Sequence, residues 1–149
     1  MRSNPRVVRQ FVLYIALDVV CVGIGMGVPN LAILLGLAVG WQIIGLLDLA
    51  ARPIDKALVQ ILRGAGITAG VTFVMMAVIW GRCIPMLFDP SADIANFGIP
   101  LLLYEPRASF VGWIVLMVLV SPFLQFLMTI LGAHVALLRG ERSGSRLRG

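Results

Sequence analysis

Residues 108–138, ASFVGWIVLMVLVSPFLQFLMTILGAHVALL, run for 31 positions with no Asp, Glu, Lys or Arg and a single ionisable side chain, His134. At 1.5 Å per residue a helix of that length reaches about 46 Å, against roughly 30 Å for the hydrocarbon core of a bilayer. The stretch predicts one overlong membrane helix, spanning about 109–137, that tilts, kinks or projects from the membrane. Pro122 is the expected kink, because its ring removes a backbone hydrogen bond, and Ser121 beside it offers a hydroxyl to the freed carbonyl. Division into two short spans is the competing reading, and Ser121-Pro122 is the one piece of turn chemistry that supports it.

Three further apolar stretches lie upstream, over about 11–28, 31–47 and 65–81, the first two joined by the turn signal Pro29-Asn30. The whole chain has 149 residues, 60% hydrophobic and 13% charged, with mean hydropathy +0.99, well outside the balance of a soluble domain. The fold expected is an all-α integral membrane four-helix bundle built from two antiparallel hairpins, a single domain over residues 1–149. Arg2, Arg6 and Arg9 precede the first apolar run in the order of a secretory signal. Asp18 within that run, and the lack of a small-x-small cleavage site after it, predict a retained helix.

Counting Lys and Arg by connection puts ten on one side: Arg2, Arg6, Arg9, Arg52, Lys56, Arg63, Arg139, Arg142, Arg146 and Arg148. Arg82 and Arg107 fall on the other side. The positive-inside rule then places both termini in the cytoplasm, in a plasma (inner) membrane protein. The net charge of +5 belongs to this pattern, because the basic residues flank apolar runs instead of interleaving with stacking aromatics, and nucleic acid is not an expected partner.

Between the second and third spans, Ile54, Ala57, Leu58, Ile61 and Leu62 recur at helical spacing opposite Asp55, Lys56, Gln60 and Arg63. Pro53 suits a first helical position, so a short cytoplasmic amphipathic helix is expected there, with an extension of the third span as its alternative. The external connection, about 88–107, is apolar enough to lie against the outer interface, anchored by Phe97 and Tyr104. The tail over about 140–149 is small, polar and basic, which predicts disorder.

The exceptions to apolarity carry the functional information. Asp18 lies seven residues beyond Phe11, about 10 Å along the helix and too deep for its short side chain to reach the headgroups. An ionisable group at that depth costs several kcal/mol unless it is protonated, paired or hydrated. Counting depth from the helix ends gathers Tyr14, Asp18, Gln42, Thr72, Gln125 and Thr129 into one polar layer in the cytoplasmic half. Two roles fit such a layer: hydrogen bonds that hold helices together, or a site for a proton, ion or small solute.

Glycines four apart supply a second pattern: Gly23 and Gly27, Gly36 and Gly40, Gly66 and Gly70. That spacing lets helix backbones approach closely, within the chain or between copies of it. Arg82, Asp89, Asp93, Glu105 and Arg107 make an external charge group read as a solvated loop with surface ion pairs. His134 is a lone interfacial or packing histidine. Met75, Met76, Met117 and Met128 fill core space. Cys21 and Cys83, 62 positions apart, fall at different expected depths and make neither a redox pair nor a metal site.

A thiol oxidoreductase of four spans needs paired cysteines, a haem cytochrome several histidines, and a hydrolase a nucleophile with its base. These patterns are absent, so no enzyme, metal or cofactor is expected. The lipid bilayer is the expected environment. The function favoured is that of a small non-catalytic membrane subunit or scaffold, self-associating or joining a larger membrane complex. The alternative is a small oligomeric transporter or channel for protons, ions or a small solute, working through the layer around Asp18.

Overall fold

The computed structural model describes residues 5–24, 30–46, 53–99 and 103–146, and among these it is all-helical with no strand. Helix α1 is Pro5–Ile24, α2 is Asn30–Leu46 and α3 is Ile54–Gly81. After two short 3-10 turns, Ile84–Leu87 and Ile94–Asn96, the chain enters α4 (Pro106–Val115). A π turn, Leu116–Val120, carries α4 without interruption into α5, Ser121–Arg146.

Two of these helices are long and apolar enough to cross a membrane: α3, with 28 residues, and the unbroken run Pro106–Arg139, with 34. Helix α2 is a shorter apolar helix of 17 residues, while α1, with 20, carries Arg6, Arg9 and Asp18. Large apolar side chains point outward from all of them, with Leu34 and Val78 each 60% exposed and Val12 and Phe123 each 59%.

The last apolar segment is thus one helix, and the proline is accommodated by widening a turn. Pro122 has no N–H for the turn before it, and the five-residue π turn immediately upstream absorbs the mismatch in register. The hydroxyl of Ser121 donates to the Leu116 carbonyl at 2.8 Å, an acceptor that already receives the Ser121 backbone N–H.

Two expectations of extent change. The amphipathic segment is not a separate helix but the alternative expected for it, an extension of the third span: it forms the first turns of α3, which continue without interruption through Gly64. Of its apolar residues only Ala57 and Ile61 are buried, while Ile54, Leu58 and Leu62 stay exposed. The C-terminal segment expected to be disordered is helical to Arg146, because residues following the unbroken helical run Pro106–Arg139 add one hydrogen bond each without a new nucleus.

Helix α2 makes its broadest contact with α5, and glycine is the reason. A Cβ at Gly36 would lie 2.8 Å from the Gln125 carbonyl oxygen, one at Gly40 would collide with the Thr129 carbonyl, and one at Gly132 with the Leu37 carbonyl. The two backbones therefore touch along a seam that tolerates no larger side chain. Gly66 and Gly70 differ: both are exposed, with open space where a Cβ would be. Gly27, and the contacts of Gly23, lie outside what the structure describes.

Two apolar clusters flank the middle of the bundle. One gathers Ile44, Ala57, Ile61, Ala133 and Ala136. The other gathers Val22, Ala32, Met76, Trp80 and Met117, and both Cys21 and Cys83 pack against it as free thiols. The cysteines thus share one apolar cluster, against the expectation of different depths, because the last turns of α1 and the residues just after α3 both reach it.

The segment after α3 is built from local bonds. The Asp89 carboxylate accepts from the Ser91 hydroxyl at 2.6 Å and the Ser91 N–H at 2.8 Å, Asp93 accepts from the Asn96 amide, and Glu105 caps α4 at the Ala108 N–H. These carboxylates serve turns and a helix cap in place of the surface ion pairs expected. Phe97 meets buried Phe110 edge to face at 5.3 Å, whereas Tyr104 is fully exposed and touches no core.

Candidate functional site

Asp18, Thr72, Gln125 and Thr129 are each fully buried, and Tyr14 and Thr68 nearly so. They lie between the two apolar clusters, as the order along α3 shows: Ala57 and Ile61, then Thr68 and Thr72, then Met76 and Trp80. Helical spacing of four puts Tyr14 over Asp18 on α1 and Thr68 over Thr72 on α3.

The hydroxyl of Thr72 donates to Asp18 Oδ2 at 2.8 Å. Tyr14 holds the centre: its hydroxyl lies 3.0 Å from the Thr68 carbonyl, 3.3 Å from Thr72 Oγ1 and 3.5 Å from Asp18 Oδ2. Gln125 Nε2 donates to that same hydroxyl at 2.9 Å. Three helices, α1, α3 and α5, are therefore joined through one phenol oxygen.

Donors run short in this layer. Asp18 Oδ1 and the Gln125 Oε1 carbonyl are buried with no hydrogen-bond partner. Tyr14 has one proton and three acceptors within reach, and Thr72 has one already directed at Oδ2. The Thr68 hydroxyl is spent on its own helix, at the Ala65 and Gly64 carbonyls.

Of the six residues expected to form this layer, the structure brings together Tyr14, Asp18, Thr72 and Gln125. Thr129 is buried at the right depth, but its hydroxyl bonds the Gln125 backbone carbonyl at 2.9 Å and packs against the glycine seam. Gln42 is displaced: it is exposed and lines a separate cleft. Depth along a helix does not fix direction around it, and Gln42 sits about 100° of helical rotation away from Trp41 and about 120–160° away from Gly36 and Gly40. Thr68 was not among the expected residues, and its contribution is a backbone carbonyl, which no side-chain pattern displays.

That cleft, about 340 Å³, lies between α1, α2 and α3. Its apolar walls come from Phe11, Val39, Ile43 and Ile67, and Gln10, Gln42, Gln60 and Arg63 give it polar groups. Tyr14 and Thr68 line it as well. Tyr14 therefore faces the cleft on one side and bonds the buried carboxylate layer on the other. His134 is exposed on α5, and no group of three or more His, Cys, Asp or Glu capable of holding a metal occurs among the described residues. No family model, curated protein or solved structure matches this chain.

Proposed function

We propose that this chain is a four-span membrane protein with both termini in the cytoplasm, and that its layer around Asp18 takes up a proton or a small hydrogen-bond-donating solute. The observation that carries this reading is the pair of buried acceptors without donors, Asp18 Oδ1 and Gln125 Oε1. An orphaned buried polar group costs about 1–3 kcal/mol. A bond between membrane helices returns only about 0.6–2 kcal/mol. A layer serving adhesion alone gains nothing from two acceptors left open, whereas a layer that receives a proton, a water or an ammonium-like group needs them.

The outward apolar side chains of all the long helices support the membrane setting, since the first two helices then complete two hairpins with α3 and the α4–α5 run. The cleft supplies an approach that ends at the Tyr14 hydroxyl, one hydrogen bond from Asp18. The work proposed is binding and exchange, in a small oligomeric or single-chain transporter or channel of the plasma membrane.

The test is infrared difference spectroscopy across a pH titration, wild type against Asp18→Asn, alongside proton flux in liposomes. The expected result is a carboxyl band that changes with pH or added solute and disappears in Asp18→Asn, with flux lost and helix content kept. A carboxyl band indifferent to both pH and solute would sink the reading.

A second reading, a non-catalytic subunit that assembles with itself or a larger membrane complex, is favoured by one observation. Gly66 and Gly70 form an open, exposed strip on α3 that the described residues leave uncovered. Under that reading Gly66→Leu with Gly70→Leu reduces oligomer size in detergent and leaves Asp18 irrelevant.

A further inference from the structure

We infer that the cleft between α1, α2 and α3 is a binding site for an anionic membrane lipid, with the headgroup phosphate at Arg63 and one acyl chain between the helices. Helical register sets the polarity of the cleft. Gln10 precedes Tyr14 by one turn on α1, and Gln60 and Arg63 precede Ile67 and Thr68 on α3, while α2 runs the opposite way. Gln10, Gln60 and Arg63 therefore gather toward the end of the bundle where α1 and α3 begin, with Arg9, Lys56 and Asp55 exposed at the same end. Phe11, Val39, Ile43, Leu46 and Ile67 give the cleft apolar walls, and Tyr14 and Thr68, one turn or more farther along α1 and α3, line its inner end.

The donor set selects the headgroup. Among the described lining residues no carboxylate occurs, and Arg63 is the one charged group. Guanidinium and amide N–H groups suit phosphate oxygens, which accept several hydrogen bonds at once. An amphipathic cation would meet the Arg63 charge at the entrance with nothing in the cleft to offset it. The walls select the remainder of the ligand, because a free phosphate would leave the five apolar side chains Phe11, Val39, Ile43, Leu46 and Ile67 unused. A volume of about 340 Å³ stands at the small end of ligand sites, roughly 300–1,000 Å³. One chain enters it and the second stays in the bilayer.

This assignment rests on the chain lying in a membrane, and is independent of whether Asp18 exchanges a proton. Its consequence for that reading is that an inserted chain ends against Tyr14 and covers the approach to the carboxylate layer.

Native mass spectrometry of the full chain in a non-ionic detergent tests it, with phosphatidylglycerol, phosphatidylcholine and glycerol 3-phosphate as probes. Phosphatidylglycerol is expected to be retained about fivefold better than phosphatidylcholine, the factor for one basic residue beside an anionic lipid, and glycerol 3-phosphate not at all. Arg63→Gln should remove that preference and Arg63→Lys restore part of it. Ile67→Trp, at an exposed position that fills the cleft, should abolish retention, and circular dichroism reports whether either variant has lost helix. Equal retention of the two phospholipids, glycerol 3-phosphate binding as well as the lipid, or full retention in folded Ile67→Trp would each overturn the site. Asp18→Asn should keep the lipid, so an Asp18 that never titrates defeats the proton reading and leaves this one standing.

Discussion

Thr72 is the one residue that gives Asp18 a short hydrogen bond, so its replacement isolates what that bond contributes. Thr72→Val keeps the shape and leaves Oδ2 with only the Tyr14 hydroxyl at 3.5 Å. We expect a loss of about 1–2 kcal/mol in reversible unfolding in detergent, together with a shifted Asp18 carboxyl band. Thr68→Val is the control, since that hydroxyl bonds only its own helix and its removal should cost less than about 0.5 kcal/mol. Outside the membrane segments, two hydrogen bonds from Ser91 hold the Asp89 carboxyl below its ordinary range. The turn they make is stable above that range and loses its acceptor as pH falls through the lowered value. An NMR titration should place the Asp89 midpoint below that of a free aspartate, and Ser91→Ala should move it back up. Four of the six layer residues were legible because antiparallel helices of fixed rise make depth countable. Gln42 was misplaced because the count carries no azimuth.

Helices meet here through absence of side chain, and that is measurable one glycine at a time. Gly40→Ala forces a Cβ into the Thr129 carbonyl and should destabilise the protein by about 1–3 kcal/mol as overpacking does, read as a lowered melting temperature in detergent. Gly66→Ala adds the same methyl to open space and should stay within about 0.5 kcal/mol of wild type. If both behave alike, the seam between α2 and α5 is not closed as described. Identical spacing in the sequence thus produced two different environments, since GxxxG states that a close approach is permitted and says nothing about which helix arrives. The same limit applies to Pro122. Its missing N–H was foreseeable, yet the response, a π turn with Ser121 bonded to Leu116, depends on how that turn and α5 pack on α3.

At the scale of the molecule, the proposed topology makes a prediction that needs no ligand. In intact cells or sealed vesicles, Ser91→Cys should react with a membrane-impermeant maleimide from outside, and Gln60→Cys only after permeabilisation, in a background with Cys21 and Cys83 replaced by Ala. Both positions are exposed, so access depends on the side of the membrane and not on burial. Labelling of both from the same side would contradict the paired hairpins. The layered interior, apolar cluster, polar layer, apolar cluster, places the only buried carboxylate among the described residues near mid-bundle, where water arrives by the cleft or not at all.

The sequence by itself determined that the chain is helical and apolar on its outer surface, that its basic residues crowd one set of connections, and that Asp18 is a costly exception. Those properties follow from composition, periodicity and the fixed rise of a helix, which are local. Only the tertiary structure decided that Tyr14 joins three helices, that Gln42 leaves the layer for the cleft, that Gly36 and Gly40 meet a partner while Gly66 and Gly70 meet none, and that two buried oxygens lack donors. Each of these depends on the direction a side chain takes around its helix relative to a neighbour far away in the chain, and packing alone fixes that direction.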